Sequence, residues 1–148
     1  MLQDSILITL ADDDEDDRLF FIDAFQDLKI STKVNTVNNG KELLKFLNQT
    51  ETVLPNIIFL DLNMPILNGI ECLKEIKRDK RFKDIAIAIY STSTSDQDVE
   101  DTFVLGANIY IKKPSDFKDL KKILSDVVTI NWQYHTNDLN KDNFLLRL

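Results

Sequence analysis

Short apolar runs alternate along the chain with segments whose apolar residues recur every three to four positions. The runs are Ile6 to Ala11, Lys33 to Val37, Asn56 to Leu60, Ile85 to Tyr90 and Asn108 to Ile111. Three of them, ILITLA, IIFL and IAIAIY, are almost unbroken in apolar character, as expected of strands covered on both faces. The intervening helical stripes are Phe21, Ala24, Phe25, Leu28; then Leu43, Leu44, Leu47; then Ile70, Leu73, Ile76; and last Phe117, Leu120, Leu124, Val127, Val128. Residues 96 to 105 give a weaker helix with little apolar face. Five strand and helix pairs in this order predict an α/β domain, a doubly wound parallel five-stranded sheet. The three glycines (Gly40, Gly69, Gly106) and three prolines (Pro55, Pro65, Pro114) all fall at proposed junctions.

The chain of 148 residues suits one domain, expected over residues 1–128, followed by a C-terminal extension over 129–148 with no separate output domain. That extension ends in apolar NFLLRL, which suits packing back on the domain or meeting a partner; Trp132, Tyr134 and Phe144 within it suit either use. Scarce glycine leaves no place for G-x-G-x-x-G or G-x-x-x-x-G-K-[ST], so a Gly-rich nucleotide cradle is excluded. Cys72 is the only cysteine and His135 the only histidine, which excludes a disulfide framework and a Cys/His zinc site. Cys72, beside the Ile70, Leu73, Ile76 stripe, reads as a buried small hydrophobe, and His135 is given no catalytic role. With no basic n-region and a first apolar run too short for a span, the expectation is a cytoplasmic protein with no membrane contact.

Charge changes the picture locally. The net charge of -7 arises from residues 1 to 28, with nine acids and one base, whereas residues 29 to 148 hold 16 acids and 17 bases. Such a balance argues against nucleic-acid binding, and Lys112, Lys113, Lys118, Lys121 and Lys122 read as a solvated helix face. Read as a calcium loop, the acidic run requires glycine and glutamate where Asp17 and Asp23 stand, so that reading fails.

In open parallel sheets ligands bind beyond the carboxyl ends of the strands. The first run is followed there by Asp12, Asp13 and Asp14, the third by Asp61-Leu62-Asn63-Met64-Pro65, the fourth by Ser91-Thr92-Ser93 and the fifth by Lys112-Lys113-Pro114. Carboxylates gathered from two strand ends repel one another unless a hard cation such as Mg2+ joins them, and a facing lysine neutralises an incoming phosphoryl group. The set suits aspartyl phosphorylation. Asp12 and Asp13, at the strand end, are assigned to the metal; Glu15, Asp16 and Asp17 are assigned to favourable charge at a helix start.

The motifs LADDDEDD, IIFLDLNMPILNG, IAIYSTS and LGANIYIKKP, over roughly residues 4 to 128, together resemble the response-regulator receiver family of two-component signalling, in its chemotaxis-type stand-alone form. The resemblance implies a flavodoxin-like (βα)5 fold with strand order 2-1-3-4-5. It also implies that Asp61 accepts phosphate from a sensor histidine kinase and that Asp13 and Asp61 ligate Mg2+ directly. Asp12 then acts through water, the Asn63 carbonyl completes the protein side, and Lys113 is the essential lysine. Ser91 and Tyr110 take the switch positions, Lys113-Pro114 is expected to be cis, and a downstream protein target reads the fourth helix and fifth strand. A homodimer through the fourth and fifth units or the tail is a further expectation. The run of aspartates permits a slip to Asp13 and Asp14, and Lys112 competes with Lys113; Ala11 ending the apolar run and the place directly before proline favour the first choice in each case.

Two rival readings share this chemistry. One is a Mg2+-dependent, haloacid-dehalogenase-like phosphohydrolase with Asp61 as nucleophile, ranked lower because Asn63 stands where such enzymes carry a proton-transferring aspartate. The other is an intermediate carrier in a multistep phosphorelay. The favoured reading is a phosphoacceptor that catalyses its own phosphotransfer and dephosphorylation, without turnover of an independent substrate.

Overall fold

A computed structural model describes residues 5–129 and 144–146. In chain order the elements are β1 (Ile6–Ala11), α1 (Glu15–Asp27), β2 (Thr32–Val37), α2 (Gly40–Leu47), β3 (Ile57–Leu60), α3 (Gly69–Arg78), a 3-10 turn (Lys80–Phe82), β4 (Ala86–Ser91), α4 (Asp96–Val104), β5 (Ile109–Lys112), α5 (Phe117–Thr129) and β6 (Leu145–Leu146). The sheet is parallel throughout, in the order β2-β1-β3-β4-β5-β6. Its first five strands reproduce the expected 2-1-3-4-5 arrangement.

A sixth strand extends the expected five. In a five-stranded sheet β5 would present a row of unpaired amides and carbonyls along its edge. Here Tyr110 and Ile111 pair in register with Leu145 and Leu146, so residues 144–146 pack back on the domain. Trp132, Tyr134 and His135 lie outside the described residues.

Alternation along the central strands divides the core into two layers. Ile57 and Phe59 face α1 and α5 with Ile8, Leu10, Phe21, Phe25, Tyr90, Ile111 and Leu124. Their neighbours Ile58 and Leu60 face the other way, with Leu43, Leu73, Ile76, Ile87, Ile89 and Tyr110. Every residue of β3 and β4 is buried, matching the unbroken apolar runs. The weak fourth helix is real, but among its residues only Thr102 is fully buried, and its hydroxyl donates to the Asp98 carbonyl at 2.8 Å.

Several strand bounds shift by one residue, and for β3 and β5 the later start has a common cause. Asn56 and Asn108 stand just before β3 and β5 and imitate a strand partner with their own side chains. The Asn56 amide donates to the Leu7 carbonyl while its Oδ1 accepts from Leu7 N–H. Asn108 does the same with Ile87. Strands β3 and β5 therefore start one residue later; separately, β2 starts one residue earlier, at Thr32, and Ser91 and Lys112 are the last residues of β4 and β5.

Candidate functional site

The carboxyl ends of β1, β3, β4 and β5 converge on one edge. Asp12 continues β1, its amide bonded to the Val37 carbonyl, and the Asp61 amide bonds to the Ala11 carbonyl in the same way. These two bonds extend the sheet ladder and set the two aspartates side by side. Both are buried, at 0% and 5% exposure, whereas Asp13 is exposed. Oxygens of Asp12, Asp13 and Asp61 lie within 4.8 Å of one another. That compares with about 4.2 Å between opposite ligands in an octahedron of 2.0–2.1 Å bonds around Mg2+.

Asp14 is excluded from this group by its own task. It is the N-cap of α1, its Oδ1 accepting from Asp17 N–H at 3.1 Å, and its amide donates to Asp12 Oδ1 at 3.0 Å. Of the two acid pairs, it is Asp12 and Asp13 that lie together with Asp61. Glu15 and Asp16 are exposed first-turn acids, as expected.

Lys113 reaches the acids from the far side. Its amide donates to the Ser91 carbonyl at 2.9 Å, which ties the ends of β4 and β5 together. Its Nζ donates to Asp17 Oδ2 at 2.8 Å and to Asp61 Oδ2 at 3.3 Å, and lies 2.8 Å from Asp12 Oδ2. Lys112 is exposed, and it is Lys113 that meets the acids. The Asp12 contact is an ion pair outside hydrogen-bonding angles, so this buried oxygen accepts no hydrogen bond. A carboxylate oxygen in that condition, next to two more carboxylates, fits a divalent cation.

The electrostatics express the same crowding. Burial pushes the Asp61 carboxyl up to about 6; Lys113 opposes the shift and Asp12 adds to it. Asp12 is raised as well, again by burial first, with Lys113 opposing. Burial alone would lower Lys113, but its close contacts with Asp12 and Asp17 and the charge of Asp61 outweigh it and the ammonium is held more firmly than usual. Four carboxylates around one ammonium leave an excess of negative charge, the condition a bound cation relieves.

The remaining expected residues surround this centre. The Asn63 amide donates to Asp61 Oδ1 at 3.2 Å, so each Asp61 oxygen has a partner. Gly69 N–H returns to the Leu62 carbonyl, and a Cβ at Gly69 would run into the Asp61 carbonyl, so only glycine lets the loop close against the aspartate. Ser91 is buried, its Oγ accepting from Ser93 N–H at 3.2 Å. Tyr110 is fully buried, and its hydroxyl donates to the Ser93 carbonyl at 2.6 Å, which links the two expected switch positions through one loop. The expected cis bond is corrected: among the described residues no peptide is cis, so Lys113-Pro114 is trans. Trans is the preferred form of an X-Pro bond by about 0.5–1 kcal/mol, and Lys113 reaches its three carboxylates with it.

Asp17 lies in the first turn of α1 as expected, but its ion pair with Lys113 was not foreseen. A signal was present. Asp17 stands four, seven and eight residues before Phe21, Ala24 and Phe25, the buried stripe of α1, and so projects from the same face.

The comparisons with known proteins follow this geometry. Residues 8–125 match the model of the response regulator receiver domain. The chain is 31% identical over 128 residues to the probable methanogenesis regulatory protein FilR2 of Methanothrix harundinacea, covering 84% of this chain and 83% of that one. It is 30% identical to response regulator Rcp1 of Synechocystis sp., covering 82% and 85%. The Mn(2+)-bound form of Rcp1 superposes with a TM-score of 0.76 at 29% identity, covering 84% of this chain and 92% of that one. The phosphorylated cyanobacterial phytochrome response regulator RcpA superposes with a TM-score of 0.78 at 30% identity, covering 84% and 91%. With the acid pair, the strand-end aspartate and the lysine in one cluster on this fold, the chain belongs to the response regulator receiver family of two-component signalling.

Proposed function

We propose that Asp61 accepts a phosphoryl group from the phosphohistidine of a sensor histidine kinase, and that the resulting change of shape is read by a downstream protein. The observation carrying this reading is the buried Asp61 carboxylate, set among Asp12, Asp13 and Lys113. In the transfer an Asp61 oxygen forms a bond to phosphorus as the P–N bond breaks, and its electron pair leaves with the imidazole. Asp12, Asp13, Asp61 and the Asn63 carbonyl would hold Mg2+, which offsets charge on the phosphoryl oxygens. Lys113 Nζ turns its Asp61 bond toward a phosphoryl oxygen, and the Ser91 hydroxyl supplies a second donor.

The added group carries about -1.5 to -2 charge. Its contacts shift a population only so far as they differ between two states, and the Ser91–Ser93–Tyr110 loop is the element able to differ. The weakly buried α4 beside it extends that change to the surface that a partner, or a second copy in a homodimer, would meet. The cytoplasm suits this chemistry and the single free thiol. The phosphohydrolase reading gains nothing here, because the Asn63 carboxamide cannot serve as a general acid.

Intact mass after incubation with a small acyl phosphate and Mg2+ tests the proposal. One added phosphate is expected, absent in Asp61→Asn. An adduct that persists in that variant, or none with any kinase or donor, rejects it. For the homodimer, a concentration-independent monomer mass with and without phosphodonor is the excluding result.

A further inference from the structure

We propose that Asp17 is a positioning residue that draws Lys113 Nζ toward α1, sharing the ammonium with Asp12 and leaving Asp61 only a longer contact, so that a divalent cation and a phosphoryl group can compete for the site. The inference rests on the phosphoacceptor reading of Asp61 and deepens it. Nζ makes its shorter hydrogen bond to Asp17 Oδ2, 2.8 Å against 3.3 Å to Asp61 Oδ2, and its ion pair with Asp12 Oδ2 is also 2.8 Å long, so it is Asp61 that is held least closely. Asp17 is in turn placed by a closed circuit. Its amide is fixed by the Asp14 side chain, the Asp14 amide by Asp12 Oδ1, and Asp12 Oδ2 faces Nζ again.

The chemistry gives this arrangement a purpose. An ammonium and a metal ion compete for the same carboxylate oxygens, so a lysine free to settle on Asp61 and Asp12 would displace the cation and damp the nucleophile. Asp17 offers Nζ a partner outside the cation's ligand set. Its side chain is 38% exposed while that of Lys113 is 9% exposed, so the anchor is the accessible member and the anchored group the enclosed one. When phosphate arrives, the bond to Asp61 is released to a phosphoryl oxygen, and the bond to Asp17 keeps Nζ in reach.

The test compares Asp17→Asn with Asp16→Asn in the full chain. Asp16 lies in the same helical turn, is exposed and bears the same charge, so helix-end and net-charge effects cancel. Mg2+ affinity is read by titration calorimetry and the labelling rate by intact mass with acetyl phosphate at saturating Mg2+. Asp17→Asn should weaken Mg2+ binding roughly 3- to 10-fold more than Asp16→Asn, the scale of one screened charge at this range, and slow labelling at saturating Mg2+. Asp17→Glu should recover most of both, which a merely structural role would not require. Equal Mg2+ affinities and labelling rates in Asp17→Asn and Asp16→Asn would overturn the role while leaving Asp61 as acceptor. A wild-type chain that binds no Mg2+ and takes no phosphate overturns both.

Discussion

The ring of Phe144 packs edge-on against the ring of Tyr110, with centroids 6.2 Å apart and planes at 68°. Phe103 of α4 meets the other side of Phe144 at 5.3 Å, and Phe144 is fully buried. One aromatic side chain therefore fastens the C-terminal strand to β5 and α4. A buried Phe→Ala change commonly costs 3–5 kcal/mol. A short terminal segment can detach instead of leaving a cavity, so Phe144→Ala should cost less, about 1 to 3 kcal/mol by urea denaturation. Amide exchange in Ile109–Lys112 should quicken as the β5 edge opens. An unchanged midpoint with unchanged protection would refute the anchoring role.

Asp61 gives a pH-dependent prediction with a definite sign. Burial raises its carboxyl from 3.8 to about 6, so the folded state holds that proton more tightly than the unfolded chain does. Stability then falls as pH rises from about 4 to about 6 and stays lower above it. A shift of this size is worth at most about 3 kcal/mol. In metal-free buffer at pH 7, Asp61→Asn should be more stable than wild type by about 1 to 3 kcal/mol, with the gain shrinking toward pH 4. Equal or lower stability of the variant at pH 7 would contradict the assignment.

Ile66 is the only non-glycine residue with positive φ among those described, at 71°. It is 76% exposed, so no packing repays the strain. A β-branched residue is poorly suited to this region, where asparagine and glycine are at ease. Ile66→Asn should therefore raise the urea midpoint by the equivalent of about 1 kcal/mol. No gain would mean that the loop beside Asp61 carries no backbone strain.

Cys72 should be inert in the folded protein. It is fully buried, and burial, with Glu71 and Glu75 adding, pushes its thiol up to about 12. Only the thiolate reacts. At pH 8 a water-soluble aromatic disulfide should modify it roughly a thousandfold more slowly than in the urea-unfolded chain. Comparable rates in the two states would show that α3 opens readily.

Much of this architecture was readable along the chain, for identifiable reasons. Strands covered on both faces must be almost wholly apolar, so IIFL and IAIAIY announced themselves, and parallel strands need crossover helices between them. Asp12, Asp13, Asp61, Ser91 and Lys113 were legible because a parallel sheet sends every strand end to the same edge. The one-residue shifts at Asn56 and Asn108 were not, since a side-chain amide standing in for a backbone partner leaves no periodic trace. Asp17 was hidden by its neighbours, because six consecutive acids look alike until a helix assigns each to a face.

By itself, then, the sequence determined the alternation of strands and helices and the residues at the strand ends, because these follow from local periodicity, and the sheet order through the resemblance to the receiver family. The tertiary structure alone decided the contacts between distant segments. Lys113 has Asp17 as well as Asp12 and Asp61 for partners, 96 positions separating Lys113 and Asp17. Tyr110 points to Ser93, and the tail closes the β5 edge through Phe144. Such pairings depend on which faces folding brings together, and a charge or an aromatic ring in a linear sequence does not specify its partner.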